Sequence, residues 1–378
     1  MSAASELRTR RGARHVSGSG AAAGDKVAGD TSDGFQRQEA QRHLATSTTA
    51  ALRCSAAWCW AAYAVAWAAS WLFLSRYAQP GVWVPWWGVV SDPLWVGSLG
   101  AMAATGVVFL FSLLANNSSV YDPFWCLAPQ ALTVYWLRTV ASSDGATGCA
   151  GVHTPAWMAA GLVWTWAVRF HIGMPWSGWV TGLDHEDWRY ADVRKAAGHP
   201  AVYWMVSFTS FHVTPTLLVV GALLPVGRVI LANPSAVTPQ LWAAWGFTAF
   251  AIAWEGVADA QMTRFRAQRR KRAEAELEQL ANRRARGVGG DNSVMRQGLW
   301  RYSRHPNYWG ECCFWVGVWL QGVATGTIDA LPFMAGCAVM CLFFRFASTP
   351  LMDTRMKQRK GAAFEEYAAN TSAMMPWF

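Results

Sequence analysis

Apolar residues fall into eight long blocks, at about 54–74, 93–115, 123–140, 154–172, 201–225, 239–260, 308–323 and 329–347. Each is near the ~20 residues that a helix needs to cross the hydrocarbon of a bilayer. They lack period-two alternation and are too long for membrane strands, so the pattern predicts helices. The third and seventh read equally as full crossings or as short, re-entrant helices, giving an all-α bundle of six to eight transmembrane spans.

Composition sharpens that picture. Of the 378 residues, 53% are hydrophobic and only 15% charged, against roughly 25% charged in ordinary soluble domains. The 25 Trp suit the two membrane–water interfaces, where an apolar ring with one N–H donor sits at headgroup depth.

The formal net charge of +9 reads as a membrane feature, because no nucleic-acid-binding motif accompanies it. With the N-terminus placed in the cytosol, the cytosolic segments receive Arg189, Arg194, Lys195, the dense 261–308 segment and the tail. The opposite face receives only Arg76, Arg138 and Arg228 of the 32 basic residues, which predicts that both termini face the cytosol. Within the basic segment, RFRAQRRKRAEAELEQLANRRAR (264–286) has helix formers with Glu/Arg pairs at helical spacing, then GVGG as a stop. It reads as a solvated cytosolic helix, with binding of lipid headgroups as the alternative.

Residues 1–50, rich in Ala, Ser, Gly and Thr, predict a disordered cytosolic tail. Arg8, Arg10, Arg11 and Arg14 resemble a transit peptide, but Asp25, Asp30, Asp33 and Glu39 count against one. The predicted organisation is this tail, two spans over 51–115, and a main membrane domain over 116–378 with its cytosolic basic loop at 261–300. The eight cysteines contain no C-x-x-C pair and lie mostly inside apolar blocks, so they read as small packing residues. No Rossmann glycine motif, P-loop, H-E-x-x-H or solenoid repeat occurs.

Ionisable residues at membrane depth are costly, which makes each a functional candidate. Four clusters stand out. Tyr121-Asp122-Pro123-Phe124-Trp125 opens the third block, either as a helix cap or as a carboxylate at a pocket mouth. Arg169 and His171 close the fourth block and lead into Asp184 to Tyr190; Arg169 is expected to meet a carboxylate or a ligand phosphate. Glu186 and its acidic neighbours lack metal-ligand spacing, and no metal site is expected. Glu255 and Asp259, four apart, share one helix face. Finally, Gly298 to Glu311 crowds Arg301, Arg304, His305, Asn307 and two Tyr into a turn at a span's cytosolic entrance. These are groups suited to phosphates, a carboxamide and an aromatic ring.

RYSRHPNYWGE resembles the R-x-x-R-H-P-x-Y-x-G-E signature of the steroid 5-alpha-reductase superfamily. YDPFW, EDWRY, EGVADAQMTRF and the terminal FEEYAANTSAMMPWF resemble its "steroid oxidoreductase" branch, so the likeness covers roughly residues 120–378. It implies an all-helical membrane fold that takes NADPH from the cytosol. Asn307, Tyr308 and Glu311 match the cofactor-contacting stretch; Arg304 and His305 stand where related reductases hold the cofactor's phosphates or ring. Arg301 belongs to the same turn, and Arg189 is a further cofactor candidate. The catalytic Glu and Tyr that true steroid reductases carry in early spans find no counterpart here.

The leading expectation is an NADPH-dependent reductase of a lipid or steroid-like C=C bond in the endoplasmic reticulum or another endomembrane. Tyr121, Asp122 and Glu255 are its acid candidates. Isoprenylcysteine carboxyl methyltransferases, which use S-adenosylmethionine, share an R-H-P-x-Y-x-G turn and give the first alternative. A non-enzymatic lipid-binding protein is the second. The expected partners are the lipid substrate and membrane lipids, without nucleic acid.

Overall fold

The computed structural model describes residues 55–77, 83–84, 88–89, 92–143, 151–173, 183, 185–281 and 294–376. The predicted tail over 1–50 and the GVGG stop at 287–290 lie outside them, as do Cys54, Cys149 and Asp184.

Each of the eight apolar blocks is a helix. In chain order these are α1 (Ala56–Tyr77), α2 (Pro93–Leu114), α3 (Phe124–Ser143) and α4 (Thr154–Gly173). After a short α5 (Trp188–Ala197) come α6 (Pro200–Ala232), α7 (Pro239–Ala281), α8 (Pro306–Thr325), α9 (Ala330–Lys360) and a final short α10 (Ala362–Asn370). Among the described residues, 3-10 turns lie at Ser118–Tyr121 and Gly298–Arg301, and π segments at Ser207–Val213 and Phe344–Ser348. Strands Trp83–Val84 and Gly88–Val89 pair antiparallel.

α3 and α8, the two blocks that read as short, are each 20 residues, the length of α4. Among the described residues, four helices are both long and apolar enough to cross a membrane: α1, α2, α6 and α9. They make the chain a membrane protein. In α3, α4, α7 and α8 the apolar run is broken by Gln130 and Arg138, by Arg169 and His171, by Glu255 and Asp259, and by Asn307, Glu311 and Gln321. The basic helix expected after the sixth block is no separate element, because α7 runs unbroken for 43 residues.

Local chemistry sets the helix ends. Asp92 accepts the Leu94 N–H at 2.9 Å, and Pro93, which has no N–H to leave unpaired, occupies the first turn of α2. Asp187 caps α5 through the Arg189 N–H, and Gly198 ends it at φ 64°, a left-handed position that favours glycine. His199 then caps α6, ahead of Pro200.

α6 is the central helix and packs against α2, α3, α4, α8 and α9, while α7 lies along α8 and α1 rests on α2. Its neighbours come close where side chains vanish. A Cβ on Gly336 of α9 would collide with the Gly221 carbonyl of α6. Buried Trp136, Trp166, Leu223, Phe314 and Trp315 fill the centre. A smaller cluster of Tyr63, Val108, Tyr121 and Phe124 joins α1 and α2 to the 3-10 turn. The outer helices α1 and α9 expose Trp60, Leu72, Leu331 and Phe346, as residues facing lipid do. Arg169 of α4, Arg189 of α5, Glu255 and Asp259 of α7, Glu311 of α8 and Asp353 of α9 gather with Asp122, just ahead of α3, at one end of the bundle.

Candidate functional site

The site is built from three helices. Arg169 stands one turn from the end of α4, Glu255 and Asp259 lie one turn apart on α7, and Glu311 sits in the second turn of α8. The Arg169 guanidinium reaches Glu255 at 2.8 Å and Asp259 at 2.7 Å, with Glu311 at 4.0 Å. Glu255 and Glu311 are 4% and 3% exposed, so this charge lies inside the protein. Breaking such a buried ion pair from one side costs about 3–5 kcal/mol, because it strands the remaining charge.

Glu311 is held by two indoles. Trp166 donates to Oε2 and Trp315 to Oε1, each at 2.9 Å. The Trp166 ring stacks on Phe314 at 4.9 Å and 7°, and Trp125 packs edge-on against Trp166, which walls the carboxylate with aromatic surface. Gly310 lets α7 and α8 close here: a Cβ at this position would lie 2.8 Å from the Glu255 Cβ.

Asn307, at the start of α8, lies within electrostatic reach of Asp259. Two buried acceptors in this cluster, Asn307 Oδ1 and Glu255 Oε2, have no hydrogen-bond partner. Unpaired buried acceptors cost free energy, and a donor that entered would recover it.

The mouth of the cluster is formed by α5 and the start of α3. The Tyr190 hydroxyl donates to Asp122 Oδ1, and Arg189 lies 3.9 Å from the same oxygen and 2.7 Å from Asp187. Burial raises the Asp122 carboxyl from its ordinary 3.8 to about 6, against the opposing pull of Arg189. Tyr308 joins mouth to cluster, within electrostatic reach of Arg189, Asp259 and Asp353. Glu186 anchors this mouth. It accepts the Ser118 N–H, the Tyr203 hydroxyl and two Arg194 nitrogens, all within 2.9 Å.

The Arg304 turn is knitted to the chain's last described residues. The Arg304 guanidinium meets Asp353 at 2.8 Å and donates to the Ala368 and Thr371 carbonyls. Its backbone N–H donates to Ser372, and Ser303 Oγ donates to the Met374 carbonyl at 2.7 Å. His305 faces Asp353 at 2.8 Å and stacks on Tyr308 at 5.1 Å and 8°.

The sequence-predicted residues therefore separate into groups. Glu255, Asn307 and Glu311 join one cluster, with Tyr308, Asp122 and Arg189 at its mouth. Arg304 and His305 border the cluster but are engaged by Asp353. Arg301 is exposed, its guanidinium 5.9 Å from the Tyr302 ring. Tyr121 lies apart from the carboxyl cluster. It is 2% exposed, its hydroxyl bonds Thr216 at 2.7 Å, and its ring packs on His212. Arg169 meets carboxylates, one of the two partners its position called for. Sequence reasoning passed over Trp166, Trp315 and Asp353; the Glu311–Trp315 spacing of four residues on one helix was the available signal for one of them. Among the described residues, no group of three or more His, Cys, Asp or Glu is arranged to hold a metal ion.

A family model described as a protein of unknown function, DUF1295, matches residues 108–371, more than two thirds of the chain. No curated protein and no solved structure matches it.

Proposed function

The chain belongs to the DUF1295 family, and we propose that it is a membrane-embedded, NADPH-dependent reductase acting on a C=C bond of a lipid or steroid-like substrate. One observation carries the reading. The stretch Asn307 to Glu311, which resembles the cofactor-contacting element of steroid 5-alpha-reductases, lies against the buried Arg169–Glu255–Asp259 cluster. There two oxygens have no hydrogen-bond partner, Asn307 Oδ1 on this stretch and Glu255 Oε2 on α7.

The residues fit the proposed cofactor at its ring end. The buried acceptor Asn307 Oδ1 calls for a donor, and the carboxamide N–H2 of a nicotinamide is one, which leaves Glu255 Oε2 to carry a proton. Asn307, Tyr308 and Glu311 would hold that end, and exposed Arg301 and Arg189 are open to phosphate. Arg304 and His305, committed to Asp353 and the tail, would support the turn from behind. When bound, NADPH supplies the hydride.

The remaining chemistry belongs to the chain. Three carboxyl groups against one guanidinium leave an excess of negative charge, which a dry site offsets by binding a proton. Glu255, buried and with one oxygen unpartnered, is the acid best placed to pass a proton to the substrate. Asp122 serves at the mouth, and Tyr121, its hydroxyl closed in by Thr216, positions the wall. Apolar helices on the bundle's outside suit a substrate that arrives from lipid. The distribution of Lys and Arg supports both termini in the cytosol, and the location that goes with the proposed reaction is an endomembrane such as the endoplasmic reticulum.

Equilibrium dialysis of the purified full-length chain tests the reading. NADPH should bind, and Asn307→Ala should weaken it by about tenfold, the value of one or two buried hydrogen bonds. Binding of S-adenosylmethionine without NADPH would move the assignment to methyl transfer. Retention of neither would leave a lipid-binding role. Lipid profiling of a knockout would then name the substrate.

A further inference from the structure

The long helix α7 changes character without a break. Counting inward from Trp242, which is 62% exposed and suited to an interface, about 20 residues reach Gln261 and cross the hydrocarbon. Beyond it come Arg264, Arg266, Arg269, Arg270, Lys271 and Arg272, with no acidic residue until Glu274. At the helical rise they lie from about 5 to about 17 Å past that boundary, through the headgroup layer and just beyond it. Arg264, Arg266, Arg270, Lys271 and Arg272 are exposed, and Arg269 is half-buried.

Their arrangement is a collar. At 100° per residue the six cations leave no arc wider than about 100° without one. A helix that docks on one protein surface carries its charge as a stripe, whereas a charged layer surrounding the helix calls for cations on every side. The end of α9 brings Arg359 to the collar, and Arg266 lies within electrostatic reach of it. Two helices thus bring like charges together at one depth, an arrangement that anions lying between them would stabilise.

We propose that this collar binds the headgroups of anionic phospholipids and so sets the depth of α7, the helix that carries Glu255 and Asp259. The inference is independent of the reaction proposed above. It requires only that α7 cross the bilayer.

The test is the selectivity of the reconstituted full-length chain for spin-labelled phosphatidylserine over spin-labelled phosphatidylcholine, read as the motionally restricted fraction. In 20 mM salt the wild type should favour the anionic lipid by at least about threefold, and the preference should fall towards one at 1 M. R264Q/K271Q/R272Q should lose most of it, and the single substitutions R264Q and K271Q a part each, while Arg138→Gln at the opposite face leaves it unchanged. Equal selectivity in wild type and folded collar variants would overturn the proposal. So would abolition of the preference by millimolar inorganic phosphate at constant ionic strength, which would mark a site for the free anion. A third overturning result is collar-dependent binding of an RNA oligonucleotide by a chain without lipid selectivity.

Discussion

Arg169 and Glu255 form a 2.8 Å ion pair with side chains only 13% and 6% exposed, joining α4 to α7 in the interior. The same guanidinium also reaches Asp259, so one positive charge is shared between both carboxylates on that face of α7. Arg169→Ala should cost about 3–5 kcal/mol, since it strands buried carboxyl groups. Thermal unfolding of the purified chain in detergent measures the loss, and Arg169→Lys should recover only part, lacking a second nitrogen for Asp259.

Glu311 depends on two N–H donors from different helices. Trp315→Phe keeps an aromatic ring but removes the N–H donor together with part of the indole, leaving one oxygen of a buried carboxyl unpaired. A loss of about 1–3 kcal/mol is expected from it, and likewise from Trp166→Phe. The double variant should lose more than either, and chemical denaturation of the three proteins gives the comparison. A neutral result for both single variants would show that water replaces the indoles.

Gly310 is where α7 and α8 touch. Gly310→Ala places a methyl 2.8 Å from the Glu255 Cβ and 3.2 Å from the α7 backbone, so the helices must part. Overpacking of this kind costs about 1–3 kcal/mol. The same variant should weaken cofactor binding, because it shifts Glu255 and Asn307 relative to each other. An alanine protein with unchanged stability and binding would contradict the close approach.

Asp122 sets a pH dependence whose sign is fixed by its surroundings. Its carboxyl, raised by burial to about 6 in the folded protein, has an ordinary value of 3.8. The folded state therefore holds its proton more tightly, and the contribution to stability is full below pH 4 and is lost as pH rises towards 6 and just above. The loss is bounded at about 3 kcal/mol by the size of the shift. Asp122→Asn should remove this pH-dependent component, so the stability difference between the two proteins should change between pH 4 and pH 7 and flatten above. Parallel unfolding curves at pH 4.5, 5.5 and 6.5 resolve it.

Much of this architecture was legible in the sequence. Helix length follows from apolar length, so eight blocks gave eight helices, and the cost of charge at membrane depth pointed to Arg169, Glu255 and Asp259 before any contact was known. The missing parts are relationships over long separations. Asp353 pairs with Arg304 and His305 across 49 and 48 residues, with no spacing rule to connect them. Nor did local sequence foretell the π segment in α6, where His212 bonds the Ser207 carbonyl and Ser112 of α2. Tyr121 is a further case: its position marked it as a candidate, and its hydroxyl partner Thr216 lies 95 residues on.

The contacts of Arg304 with Ala368, Thr371 and Ser372 also impose an order in time. During synthesis every apolar helix emerges from the ribosome before the segment that secures this turn. The apolar helices all precede that segment in the chain, so the polar end stays open until residues 368–374 return to the Arg304 turn. A chain cut after residue 360 would thus keep every apolar helix yet lack the contacts that close the place where its chemistry gathers.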